Sequence, residues 1–106
     1  MITLLAQPTE QNRYRISACE GERVLGTAEY RAEGETVWLT QLDCPIEALA
    51  DGLMRACLNA ARAQGCVQAV CALPQWLEWL QKQGFSVQNG QASVSIGAFF
   101  ARGCHR

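Results

Sequence analysis

Strongly charged stretches are absent from this chain. Its 9 basic and 10 acidic residues leave a formal net charge of -1, and no basic run exceeds a pair. The electrostatic footprint that holds nucleic acid or an anionic membrane surface is therefore missing. Long hydrophobic runs are absent too: the opening Met1-Ile2-Thr3-Leu4-Leu5-Ala6-Gln7-Pro8 is too short an apolar stretch for a signal peptide or a membrane span. A cytoplasmic location is the expectation. No C-x-x-C pair occurs, and neither Cys66 with Cys71 nor the adjacent Cys104-His105 has tetrahedral metal spacing, so no metal site is expected. Internal repeats, low-complexity segments and linkers are also lacking, which leaves one domain over residues 1–106.

What the chain does have is apolar periodicity. The hydrophobic share is 49% and the charged share 18%, as in ordinary globular domains. Four of the six cysteines (Cys19, Cys57, Cys66, Cys71) lie inside apolar periodic segments, so they read as reduced thiols and not as a disulfide framework.

Residues 12–19, 22–31 and 35–42 alternate polar with apolar side chains and are separated by Glu20-Gly21 and Glu33-Gly34. That pattern predicts an antiparallel meander of three strands. In the third, Val37, Leu39 and Gln41 share one face and Trp38, Thr40 and Leu42 the other, so the strand is expected to be central. From Pro45 to Gln64 apolar residues recur at steps of three and four, which predicts a long amphipathic helix opened by Pro45 and stopped by Gly65. The nearly continuous apolar segment Cys66–Leu73 then reads as a buried strand parallel to the one before the helix. Pro74 opens a shorter helix bearing Trp76, Leu77, Trp79 and Leu80, which Gly84 ends before a strand at Phe85. A last strand over Ala92–Ile96 precedes Ala98-Phe99-Phe100, giving an α/β domain with a mixed sheet of about six strands and two principal helices.

This order, from about Tyr14 to Ile96, resembles the GNAT acyltransferase superfamily. Its carriers are LMRACLNAARAQG (Leu53 to Gly65), similar to the core of that family's long helix, and WLEWLQKQGF (Trp76 to Phe85), similar to its short helix followed by Gly-Phe. The resemblance implies an acetyl-CoA or other acyl-CoA cofactor held at the amino end of the long helix, where free amides and the helix dipole bind a diphosphate. Carried over residue by residue, the cofactor-binding positions are Leu42, Ile46, Glu47, Ala48, Leu49 and Ala50. The family's Arg/Gln-x-x-Gly-x-Gly/Ala motif falls with Pro45 at the first position, Ala48 at the first glycine and Ala50 at the second, so only Ala50 matches. The loop is also about two residues shorter than the family's, and Asp43 and Glu47 add negative charge beside it. The family's general-acid tyrosine falls on Leu80.

Cys71 and Glu35 lead the candidates for catalysis. Cys71 lies near the end of the buried parallel strand, where a thiolate could take an acyl group. Glu35, like Glu29 on the meander, is a candidate base for an amine acceptor. Cys104-His105 is a further nucleophile pair by type, placed in the tail. Trp76, Trp79, Phe99 and Phe100 are candidates for lining a pocket or a dimer surface. Only Ile2 to Ala6 precede the meander, so the two helices that shape the acceptor site in the family have no counterpart, and a second subunit is one source for that pocket. Two functions follow: an acetyl-CoA-dependent N-acyltransferase acting on a small amine, or a non-catalytic GNAT-fold module for binding or homodimerisation.

Overall fold

A computed structural model describes residues 1–103; the Cys104-His105 pair lies outside the described residues. Seven strands and three helices follow in the order β1 (Ile2–Glu10), β2 (Arg13–Glu20), β3 (Arg23–Glu33), β4 (Thr36–Asp43), α1 (Glu47–Ala63), β5 (Gln68–Cys71), a 3-10 turn (Pro74–Trp76), α2 (Leu77–Lys82), β6 (Ser86–Gln88), β7 (Gln91–Ser95) and α3 (Ile96–Gly103). One sheet orders them β1-β2-β3-β4-β5-β7-β6. Every neighbouring pair is antiparallel except β4–β5, which is parallel from Thr36↔Gln68 to Leu39↔Cys71. The expected parallel pair bridged by the long helix is therefore present.

Helix α1 forms because one of its faces can be removed from water. Ala50, Leu53, Met54, Cys57, Leu58 and Ala61 are all buried and recur at helical spacing. That face lies over β2, β3 and β4, where Ala18 and Ala28, both 0% exposed, leave room for close approach. Fully burying side chains the size of Leu53, Met54, Leu58, Leu80 and Ile96 contributes roughly 2–3 kcal/mol each. Gly65, at φ +99°, takes the left-handed turn that ends the α1 region. On the outer side of α1, Arg55 bonds Asp51 at 3.0 Å and lays its guanidinium 4.8 Å from the Phe99 ring, tying α3 to α1.

Three features differ from the sequence expectation. The meander has four strands, because Ile2–Glu10 pairs along its length with β2 across a two-residue turn at Gln11-Asn12. Its side chains are exposed on both faces, so it carries no alternation to reveal it. Residue Ile96 opens a third helix, with its amide bonded to the Val67 carbonyl and the Ala98 amide reaching the Ser95 hydroxyl. The faces of β4 also change along its length. Glu29 pairs with Gln41 while Tyr30 pairs with Leu39, so Thr40 is an extra residue in a β-bulge. Because side-chain direction alternates, one inserted residue flips the remainder. Leu42 (4% exposed) thus joins Val37 (1%) and Leu39 (5%) in the core, while Gln41 stays exposed.

Candidate functional site

The bulge sits at the point where β4 loses its parallel partner. Pairing with β5 stops at Leu39↔Cys71, yet β4 continues to Asp43. Beyond Cys71 the chain turns into Ala72-Leu73 and the Pro74–Trp76 turn, so the β4–β5 ladder ends there and leaves a gap in the pairing, the slot, between Thr40–Asp43 and the segment after β5. One side chain crosses it: Trp76 donates its indole Nε1–H to the Leu42 carbonyl at 2.8 Å. Trp79 stacks edge-on against that indole with centroids 5.2 Å apart, and both rings are half-buried. Trp76 and Trp79, candidates for lining a pocket or a dimer surface, thus form a touching pair at the slot.

Cys71 lies on the core side of this opening, 1% exposed. Burial pushes its thiol up, against a smaller lowering by a backbone hydrogen bond involving Leu73. That is the reverse of what activates a nucleophilic thiol. No hydrogen bond joins Cys71 to an acid or base side chain among the described residues, and its side chain packs within the buried core. Glu35 is exposed at the other end of the ladder, where its carbonyl accepts the amides of Val67 (2.7 Å) and Gln68 (3.1 Å). Four residues of strand separate it from the level of Cys71, about 13 Å at strand rise, so the two candidate catalytic residues do not converge. Glu29 is paired with Arg15 at 2.9 Å on the sheet face away from α1.

The cofactor-binding candidates surround the leading end of α1. Leu42 is buried and supplies the carbonyl in the slot, while Ile46, Glu47 and Ala48 are exposed, Leu49 is half-buried and Ala50 is buried. Ile46 is the N-cap and accepts the Leu49 and Ala50 amides at 3.1 and 2.9 Å, with no side chain capping the helix. The first-turn amides of Glu47 and Ala48 have no acceptor within the helix. They are chemically suited to an anion, but the exposed carboxylates of Asp43 and Glu47 oppose one, each by some tenths of a kcal/mol to about 1. Leu80, where the resemblance places a tyrosine acid, is 0% exposed in the core. The Tyr30 hydroxyl contacts Gln64 at 3.3 Å, at the trailing end of α1.

Concavities also lie outside the slot. One of about 190 Å³ adjoins the leading end of α1, lined by Val24, Leu25, Gly26, Thr27, Asp43 and Pro45. A larger one, about 350 Å³, lies at the trailing end of α1 beside Arg62, Cys66 and Ser95, remote from Cys71 and Leu42. Neither concavity is lined by Leu42, Cys71 or Trp76. Among the described residues no His/Cys/Asp/Glu group could hold a metal, and no helix is long and apolar enough to cross a membrane. Cys19, Cys44, Cys57, Cys66 and Cys71 are all buried free thiols.

No family model matches the sequence, and no curated protein matches it either. Solved structures do. An IAA acetyltransferase from Bacillus cereus superposes with TM-score 0.72 at 13% identity, over 90% of this chain and 99% of the other. A GNAT family acetyltransferase from Elizabethkingia anophelis, with acetyl-CoA bound, gives 0.66 at 12% identity over 80% and 77%. The PaiA N-acetyltransferase of Thermoplasma acidophilum, in complex with coenzyme A, gives 0.66 at 12% identity over 77% and 58%. With the sheet order, the single parallel pair and the slot beside it, these likenesses establish that the chain has the fold of the GNAT acetyltransferases.

Proposed function

We propose that this domain binds an acyl-CoA thioester along the open end of β4 and transfers its acyl group slowly to a small amine. The observation that carries the reading is the Leu42 carbonyl, which stands beyond the last β4–β5 pair and accepts the Trp76 indole N–H from across the slot. An arm containing secondary amides could donate to that carbonyl in place of the indole. Fold neighbours that hold coenzyme A or acetyl-CoA support the ligand class. The residues fit the arm better than the diphosphate, since only the Glu47 and Ala48 amides favour the latter while two carboxylates oppose it.

When bound, the thioester supplies an activated acyl carbon. The chain contributes Leu42 for orientation, Cys71 and Leu39 as an apolar wall that excludes water, and the amino end of α1 for charge. With Leu80 at the acid position and Cys71 held as a thiol, proton transfer to and from the reacting groups falls to water, so rate enhancement rests on proximity. Five buried free thiols fit a reducing, cytoplasmic setting. The test is thermal: millimolar acetyl-CoA should raise the melting temperature, and an unchanged melting temperature would count against the reading.

A second reading, a non-catalytic association module, is favoured by a different observation. β1 is an edge strand whose only charged side chain is Glu10, with Ile2, Leu4 and Leu5 exposed at 48%, 42% and 54%. Unpaired strand edges recruit further strands, and a second copy is the partner this reading names. Analytical ultracentrifugation decides it: a monomer at all concentrations would remove the support.

A further inference from the structure

The segment after β5 is built to aim an indole at β4. Pro74 sits in the first turn after the extended Leu73, and the Trp76 amide closes on the Leu73 carbonyl at 3.0 Å. This short turn directs Nε1–H across the slot to Leu42. The ring is held there by one hydrogen bond, the edge of Trp79 and partial packing on the core. It is half-buried, unlike the fully buried Leu53, Leu58 or Leu80, so it can swing outward without opening the core.

We infer that Trp76 is a built-in occupant of the slot: its indole supplies the N–H that an amide-bearing thioester arm would donate to the Leu42 carbonyl, and the arm binds only by displacing it. This rests on the acyl-thioester reading above. Trp76 is then the residue that sets affinity and selects for ligands that bring their own N–H donor. Closure of the slot by the protein's own donor also keeps the carbonyl of the buried Leu42 satisfied when no ligand is present.

Calorimetry with acetyl-CoA on the wild type, Trp76→Phe and Trp76→Ala tests the inference. Affinity should rise at least tenfold from wild type to Trp76→Ala, equivalent to about 1.4 kcal/mol, with Trp76→Phe in between because it keeps a ring but loses the donor. In the wild type, the Trp76 indole N–H resonance, assigned by its loss in Trp76→Phe, should move on titration while that of Trp38 stays. Equal affinities in all three proteins with an unmoved Trp76 resonance would overturn the inference and leave the acyl-thioester reading standing. Absence of binding in all three folded proteins would remove that reading and the inference together. Should Trp76→Ala fail to fold, the Phe variant and the wild-type resonance decide alone.

Discussion

Gly26 on β3 and Cys44 after β4 are in such close contact that a β-carbon on Gly26 would sit 2.7 Å from the Cys44 sulfur and 2.8 Å from its Cβ. The Cys44 thiol in turn lies 3.4 Å from the Ile46 carbonyl and 3.9 Å from that of Leu25. Together these contacts press the Asp43–Ile46 corner onto β3 and fix where α1 begins, hence where its free amides point.

Gly26→Ala should therefore destabilise the fold by about 1–3 kcal/mol, the usual cost of overpacking. Urea denaturation checks this. Adding Cys44→Ala should recover part of the loss, because it removes the sulfur that the new methyl group meets, so the two changes couple.

Alkaline pH should unfold this protein in a way that reports on its thiols. Burial raises Cys57 from an ordinary 9.0 to about 12, raises Cys66 and Cys71 in the same direction, and, with the nearby Cys57, raises Tyr30 from 10.0 to about 12. Above about pH 9 the unfolded chain loses these protons while the folded one keeps them, so the folded state loses stability as pH rises. The melting temperature in reductant should be flat from pH 6 to 8 and fall between pH 9 and 12. Cys57→Ala should shallow that fall, whereas an equal slope in the variant would show that other groups govern it.

Charge at the leading end of α1 supplies a third expectation. Asp43→Asn with Glu47→Gln removes two exposed carboxylates beside the Glu47 and Ala48 amides, so acetyl-CoA should bind several-fold tighter at low salt, with the gain shrinking at 0.5 M salt as screening sets in. Titration calorimetry at two ionic strengths measures it. A gain that salt leaves untouched would point to packing instead of charge.

Replacing Cys71 separates a wall from a nucleophile. Cys71→Ala should leave any acyl transfer within about threefold of wild type and cost roughly 1 kcal/mol of stability through lost packing. Complete loss of transfer in a folded Cys71→Ala protein would reinstate the covalent role.

Local patterns in the sequence carried the elements whose partners lie within one helix or one hairpin. The 3.6-residue spacing of Ala50, Leu53, Met54, Cys57, Leu58 and Ala61 announces α1, and the apolar run ending at Cys71 announces a strand buried beside it. The slot depends on relations between distant residues, and those leave no local trace. The Thr40–Gln41 bulge redirects Leu42 through its pairing with β3, and Trp76 meets Leu42 across 34 positions of chain. Trp76 was visible as an aromatic awaiting a role, but its partner is a backbone carbonyl that no sequence pattern marks. Glu35 and Cys71 are separate candidates by residue type, and the sequence does not mark which end of the β4–β5 ladder each one occupies. β1 escaped notice because a strand exposed on both faces has no reason to alternate.

Amide chemical-shift mapping of the isotope-labelled wild-type protein with acetyl-CoA tests the central claim most directly. If the open end of β4 is the thioester site, the backbone amides of Thr40 to Asp43, those of Glu47 and Ala48, and the Trp76 indole should shift together. Shifts confined to the trailing end of α1 around Arg62, Cys66 and Ser95, or none at all at millimolar ligand, would contradict it.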